Sequence, residues 1–339
     1  MRRNVVSVGN APIRGEVGKI YAAGDVNIVE ADALKLNGAG NISITDSTID
    51  ETKIGGTIIV ENSKFGTIYM AGDIKCRGVC KADTLIAIGK LEAEQIECKV
   101  LRNFTEKSIQ VHSDNNRKET SFRFNSQWDF NINSGNGFRK GEWDINWDMG
   151  KSGNDMKCDA RYLNPTGGSI YKGKMKAETF ENLCDFNLDF DYKFKTIISI
   201  DPIHLEGVLE CEELYSFGAL DMEGVNADII YINPKEESNV QHIMGSEIAI
   251  TDVFLMDQTF EAIPKSAAIS LYKKAAASPA GIMHIDSIEG DNIRLDHVQA
   301  KIVSGDNITI GDYCVIDRVE YISNIQVSPK ASVKELIQL

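Results

Sequence analysis

Apolar and polar positions alternate along much of this chain in stretches of only three to five residues. Asn41-Ile42-Ser43-Ile44 and Thr57-Ile58-Ile59-Val60 are examples, and Gly, Asp or Asn breaks each stretch. A period of two is the signature of a strand with one face turned inward. The breaks are periodic as well. Gly24, Gly40, Gly56 and Gly72 stand 16 residues apart, and Gly89 follows after 17. The segment Ile20-Tyr21-Ala22-Ala23-Gly24-Asp25-Val26 nearly repeats as Ile68-Tyr69-Met70-Ala71-Gly72-Asp73-Ile74, three periods later. At about 3.3 Å per residue, such a period suits three short strands joined by tight corners. Stacked turns bury one apolar position per strand in a continuous core, with Gly relieving the corners. The predicted fold is all-β, a right-handed parallel β-helix with turns of about 16 residues.

The pattern predicts where the repeat runs and where it stops. Turns are expected over 1–111 and again over 201–339. In the second stretch Gly207 and Gly224 lie 17 apart, and Gly290-Asp291-Asn292-Ile293 and Gly305-Asp306-Asn307-Ile308 lie 15 apart. Residues 112–200 break the repeat and carry all three Trp. Longer alternations appear there, in Phe122-Arg123-Phe124, Trp128 to Ile132, Trp143 to Trp147 and Phe186 to Phe194, with Gly-rich turn signals between them. This reads as an inserted aromatic antiparallel β segment with one wet side. Within the second stretch, the Ala- and Lys-rich run between Pro264 and Pro279 predicts a short helical insertion at about 264–279.

Composition narrows the function classes. Among 339 residues, 36 Lys+Arg against 50 Asp+Glu leave a formal charge of −14. Nucleic-acid binding and attachment to anionic lipid both draw on excess Lys/Arg, so neither is expected. No window approaches the roughly 18 uninterrupted apolar residues of a spanning helix. The first residues lack the apolar stretch of a secretory signal, so a cytoplasmic location is expected. The cysteines, at 76, 80, 98, 158, 184, 211 and 314, are scattered. Cys76 and Cys80 have no second pair or nearby His to complete a zinc site, and small buried thiols in a reducing compartment are expected.

Candidate chemistry is sparse. No phosphate loop, nucleophile elbow, zinc-protease motif or dinucleotide fingerprint occurs. The five His (112, 204, 242, 284, 297) are dispersed, and only His297 lies in a repeat turn where an acyltransferase would place its base. The strict six-residue steps of such an enzyme are approached only from Ile310 to Ile316. Asp25, Asp73, Asp291 and Asp306 each follow a Gly, as corner residues whose side chains bond the backbone would. No catalytic residue, cofactor or metal ligand is therefore expected. Trp128, Trp143 and Trp147 offer a weak ligand face of the kind that stacks on sugar.

Residues 288–334 run from Ile288-Glu289-Gly290-Asp291-Asn292-Ile293 through Gly305-Asp306-Asn307-Ile308 to Val333. This segment resembles the C-terminal part of the bactofilin-like, polymer-forming cytoskeletal proteins of Gram-positive bacteria. The Gly207, Leu209, Cys211, Leu214, Gly218, Leu220, Gly224 run and Gly72 to Leu101 are similar to the same pattern. The resemblance covers about two-thirds of the chain. It implies a β-helix that stacks end to end into nucleotide-free filaments and serves as a scaffold. Open strand edges at the end coils associate unless capped. Val5, Val6 and Val8 at one end, and Val319, Tyr321, Ile325 and Val327 at the other, are the expected self-association residues. The tail from Lys330 to Leu339 has a weak helical period and would be a cap. The expected partner is the chain itself, as homo-oligomer or filament, or another scaffold protein. The alternative is a β-helix that binds or acts on carbohydrate through the aromatic insertion.

Overall fold

The computed structural model describes residues 2–7, 9, 11–104, 120–124, 128–132, 143–149, 156–162, 170–183, 186–233, 236–251 and 281–339, with only the strand course given for 104, 170, 183 and the described residues between 120 and 162. These residues form two compact units, Met1–Glu178 with Phe190–Tyr192, and Thr179–Asp189 with Lys193–Leu339.

In the first unit, β1 (Arg3–Ser7), β2 (Ile13–Thr45), β3 (Thr48–Glu61) and β4 (Lys64–Phe104) pair in sequence, each parallel to the next. From β2 to β4 the step is 16, with Gly40 on Gly56 on Gly72 and Ala33 on Ile49 on Phe65, while β1 lies 14 to 15 residues from its partners in β2. Strands as long as β2 arise because inter-turn pairing continues around the corners. Stacking of like positions builds apolar columns such as Ile42–Ile58–Ile74, all buried. Leu36–Thr52–Ile68 is one of these columns, and Thr52 is 0% exposed with its hydroxyl unpaired.

The corners have their own repeat. Ser47 and Ser63 are buried; the Ala31 N–H donates to Ser47 Oγ and the Ser47 N–H to Ser63 Oγ, both at 3.1 Å. Each hydroxyl in turn donates to the carbonyl two residues back, on Thr45 and Glu61. The polar corner is thus satisfied inside the core, as burial demands. At the glycine column the backbones come closer still. Gly56 has φ +115°, and a Cβ there would lie 2.3 Å from the Gly40 carbonyl oxygen.

Within the aromatic segment, β5 (Thr120–Phe124) pairs antiparallel with β6 (Trp128–Ile132), and β7 (Trp143–Met149) with β8 (Met156–Tyr162). The antiparallel reading of these runs holds. It fails from Phe186 to Phe194. This stretch is two strands, β10 (Phe186–Asn187) and β11 (Asp191–Ser199), preceded by β9 (Ile170–Leu183). Both join the parallel stack, with Phe186 on Ile203 and Thr196 on Glu213. Phe186, Leu188 and Phe194 are buried, and Phe180 stacks on Phe194 at 4.8 Å. Alternation of period two is common to a half-wet antiparallel strand and an inward-facing coil strand, so the pattern alone did not separate them.

The second unit continues with β12 (Ile203–Glu210), β13 (Glu213–Ser216), β14 (Leu220–Asn226), β15 (Ile229–Ile232), β16 (Ser238–Ile250), β17 (Met283–Leu295), β18 (Val298–Ile310), β19 (Val315–Val327) and β20 (Ser332–Gln338). All pairings among them are parallel. The step varies from 15 (Met283 to Val298) to 18 (Met222 to Val240), and is 45 from Ser238 to Met283. The expected helix at 264–279 lies outside the described residues. Ile243–Ile288–Val303–Val319 forms one buried column. Another interior corner is polar: the Asn182 amide donates to Ser199 Oγ at 2.7 Å, and Ser199 donates to the Asp201 carbonyl.

Two outcomes follow for stability. Thr52→Val removes an unpaired hydroxyl at constant shape, and is expected to stabilise by about 1 kcal/mol in chemical denaturation. Gly56→Ala forces strain and a backbone clash, and is expected to cost about 1–3 kcal/mol or more. Gly207→Ala, where φ is +140° but nothing lies within 4 Å of the added carbon, should cost less.

Candidate functional site

The inward columns reach the last coil with nothing described above part of it. β20 covers the first half of β19: Leu336 sits on Val319, which is fully buried, and Gln338 sits on Tyr321. The second half of β19 continues the buried Ile308 and Ile310 positions as Ile325 and Val327. Those two have no further strand over them among the described residues, and Val327 is 42% exposed. Leu336, stacked over Val319 in the end coil, is 50% exposed. Of the four residues expected at this end, Val327 is therefore open, Tyr321 and Ile325 are half-buried and Val319 is core.

The tail is strand, not the expected helical cap. Val333 and Leu336 are the inward residues of the coil, on Ile316 and Val319, with Lys334 and Glu335 turned out between them. Inward residues three apart around a kink imitate the spacing of a helix face. β20 keeps regular register from Ser332 to Gln338 and leaves its other edge free of any described strand.

At the opposite terminus, Val5 is half-buried over Ile20, and Val6 is 60% exposed. Val8 lies outside the described residues. This edge is short and irregular. Its register shifts between Arg3 and Val5, the Lys19 N–H donates to Asn4 Oδ1, and the Arg2 guanidinium makes two bonds to Asp32 at 3.0 and 3.2 Å. Bulges and charge are features that discourage strand addition. The two edges differ accordingly.

Chemistry-bearing side chains are dispersed over the surface. The richest corner holds His297 and Tyr313, both with positive φ (58° and 59°) and with ring centroids 5.0 Å apart. The Lys330 ammonium lies 5.5 Å from the Tyr313 ring centre and donates to Asp312 at 2.6 Å. Ser328 donates to the other Asp312 oxygen at 2.5 Å. The bonds from Lys330 and Ser328 hold the Asp312 carboxyl below its usual range, and Asp312 in turn raises the Lys330 ammonium. His242 Nδ1 and Ser287 Oγ lie 2.8 Å apart, a contact between residues 45 apart that only the long register step creates. No carboxylate is seen on the other His242 nitrogen among the described residues, so the pair lacks the third group that orients a base. His204 faces Asp221 at 3.7 Å and His284 faces Glu237 at 3.2 Å.

The carboxylates that follow glycine do not converge. Asp25 accepts from the Asn41 amide at 2.7 Å and Asp306 from the Asn307 amide at 3.1 Å, both bonds between neighbouring side chains. No group of three metal-ligating side chains occurs among the described residues. Trp128 opens β6, and Trp143 and Trp147 lie on β7, where Trp147 pairs with Cys158; their side chains lie outside the described structure.

The Asp312–Lys330 pair yields a pH test. A carboxyl depressed in the folded state favours folding above its unfolded pKa of about 3.9, and that contribution fades as pH falls through the lowered folded value. Lys330→Ala should move the Asp312 carboxyl resonance to titrate at higher pH in carbon-detected NMR. An unchanged titration would show that the ammonium does not set it.

No protein-family model matches the chain. Over 61 residues it is 38% identical to the uncharacterized protein YhbE of Bacillus subtilis (strain 168), a match covering 18% of this chain and 26% of that protein. The chain thus spans about a quarter of the length of that curated relative, and no solved structure matches.

Proposed function

We propose that this chain is a non-catalytic scaffold of bactofilin type, cytoplasmic and free of cofactors, which associates with further copies of itself through its end coils. The observation that carries this reading is the last coil. Val327 and Leu336 occupy inward or covering positions of the stack yet stand open to solvent, with half-buried Ile325 next to them, beside a strand edge of regular register. An open parallel edge with apolar residues next to it is a template for another strand. Contact between unlike ends would propagate, whereas contact between like ends would close a dimer. The described cysteines, 76, 80, 98, 211 and 314, are all free thiols, which suits a reducing compartment.

Sedimentation velocity over a range of concentrations tests the proposal. The unaltered chain should form concentration-dependent larger species. The double variant Ile325→Lys with Leu336→Lys should sediment as a monomer while keeping its far-ultraviolet spectrum. A monomer at every concentration for the unaltered chain would remove the self-association reading.

A further inference from the structure

The last described coil is half built. β20 covers Val315 to Tyr321, the Leu339 N–H donates to the Tyr321 carbonyl at 2.9 Å, and the Gln338 amide reaches the Ile322 carbonyl at 3.4 Å. From Asn324 to Val327, β19 pairs with β18 on one side and with no described strand on the other. This open segment is the top of a smaller repeat. Glu247-Ile248-Ala249-Ile250, Asn292-Ile293-Arg294-Leu295, Asn307-Ile308-Thr309-Ile310 and Asn324-Ile325-Gln326-Val327 stack in register. Their first side chains form a ladder along the stack. Asn292 donates to Glu247 at 2.5 Å, Asn307 to Asn292 at 3.0 Å and Asn324 to Asn307 at 2.7 Å. A carboxylate only accepts, so Glu247 at the foot turns the nitrogen of Asn292 towards itself and the oxygen towards the next coil, and each later amide must follow. The ladder therefore has one polarity. It ends on Asn324 Oδ1, an acceptor to which no described residue donates.

We propose that this half coil binds an extended segment of a second protein as an added parallel strand, with an asparagine over Asn324 and apolar residues over Ile325 and Val327. Backbone rungs along the free edge supply affinity, and the alternate side chains supply specificity. The order of donor, apolar, any, apolar is the one the coils beneath already follow. An asparagine in that place donates to Asn324 Oδ1, and the two apolar residues cover half-buried Ile325 and Val327, which is 42% exposed. The opposite terminus of another copy does not supply such a strand. There Val26 and Ile28 are 1% and 0% exposed, and Asp25, which accepts from Asn41, would set a second acceptor against Asn324 Oδ1. The inference uses the open end coil without requiring that copies of the chain associate.

The probe is a fluorescein-labelled peptide with the sequence of residues 304–312, Ser-Gly-Asp-Asn-Ile-Thr-Ile-Gly-Asp, which carries the required order. Titrated with the full chain in fluorescence anisotropy, it should bind saturably. The same peptide with Asp in place of its Asn should bind about tenfold more weakly, since an acceptor then faces an acceptor. Val327→Lys should abolish binding, and Leu34→Lys, at an exposed position of the first unit, should leave it unchanged. A photoreactive benzoylphenylalanine in place of the peptide's Thr should crosslink to the tryptic fragment Val319–Lys330. No binding, equal binding of the Asp peptide, or crosslinks elsewhere would overturn the inference. A chain that stays monomeric at every concentration yet binds and discriminates the peptides loses the self-association reading and keeps this one. A chain that self-associates but does not discriminate the peptides loses this one alone.

Discussion

The described parallel stack answers to the hydrogen bonding of each turn to the next. A residue sits against its counterpart about one turn away, so an inward side chain must fit the one above and the one below. Leu36, Thr52 and Ile68 share a column for this reason, as do Ile243, Ile288, Val303 and Val319. The same rule excludes a side chain at Gly56, where the backbone of the previous turn already occupies the space. It also explains how serines survive in the core: a hydroxyl at Ser47 or Ser63 finds its donor one turn back and its acceptor two residues back.

The rule extends to the surface. Lys35 pairs with Glu51, Lys99 with Asp83, Lys301 with Asp286 and Lys334 with Asp317, each across one turn. Ion pairs on a wet surface contribute little to stability individually. Their value lies in register, because a slip by one residue would break several of them while turning the apolar columns outward. A chain of net charge −14 thereby spends much of its surface charge on neighbours in its own stack.

How far the sequence revealed this depends on the scale of the signal. Spacing of Gly24, Gly40, Gly56 and Gly72 made the turn and its period legible, and the alternations at Trp128 and Trp143 made the antiparallel pairs legible. The stretch from Phe186 to Phe194 was misassigned because one face inward looks the same in either sheet. The tail was misread because Val333 and Leu336 straddle a kink. The contact between His242 and Ser287 carries no local signature, because it needs a register step of 45 residues. The end coils were legible as places but not as partners, since exposure at Val319 or Ile325 depends on which half of β19 is covered.

The long step between Ser238 and Met283 bears on how such a chain changes over time. On either side of it the pairing is undisturbed: Ile243 meets Ile288 and Ile248 meets Ile293 as if consecutive turns were adjacent in sequence. Length can therefore be gained at a corner without renumbering the interior, because the cost of a longer loop grows only slowly with its size. A segment added between two strands is therefore tolerated by the stack, whereas a change at an inward position is felt by the residues above and below it.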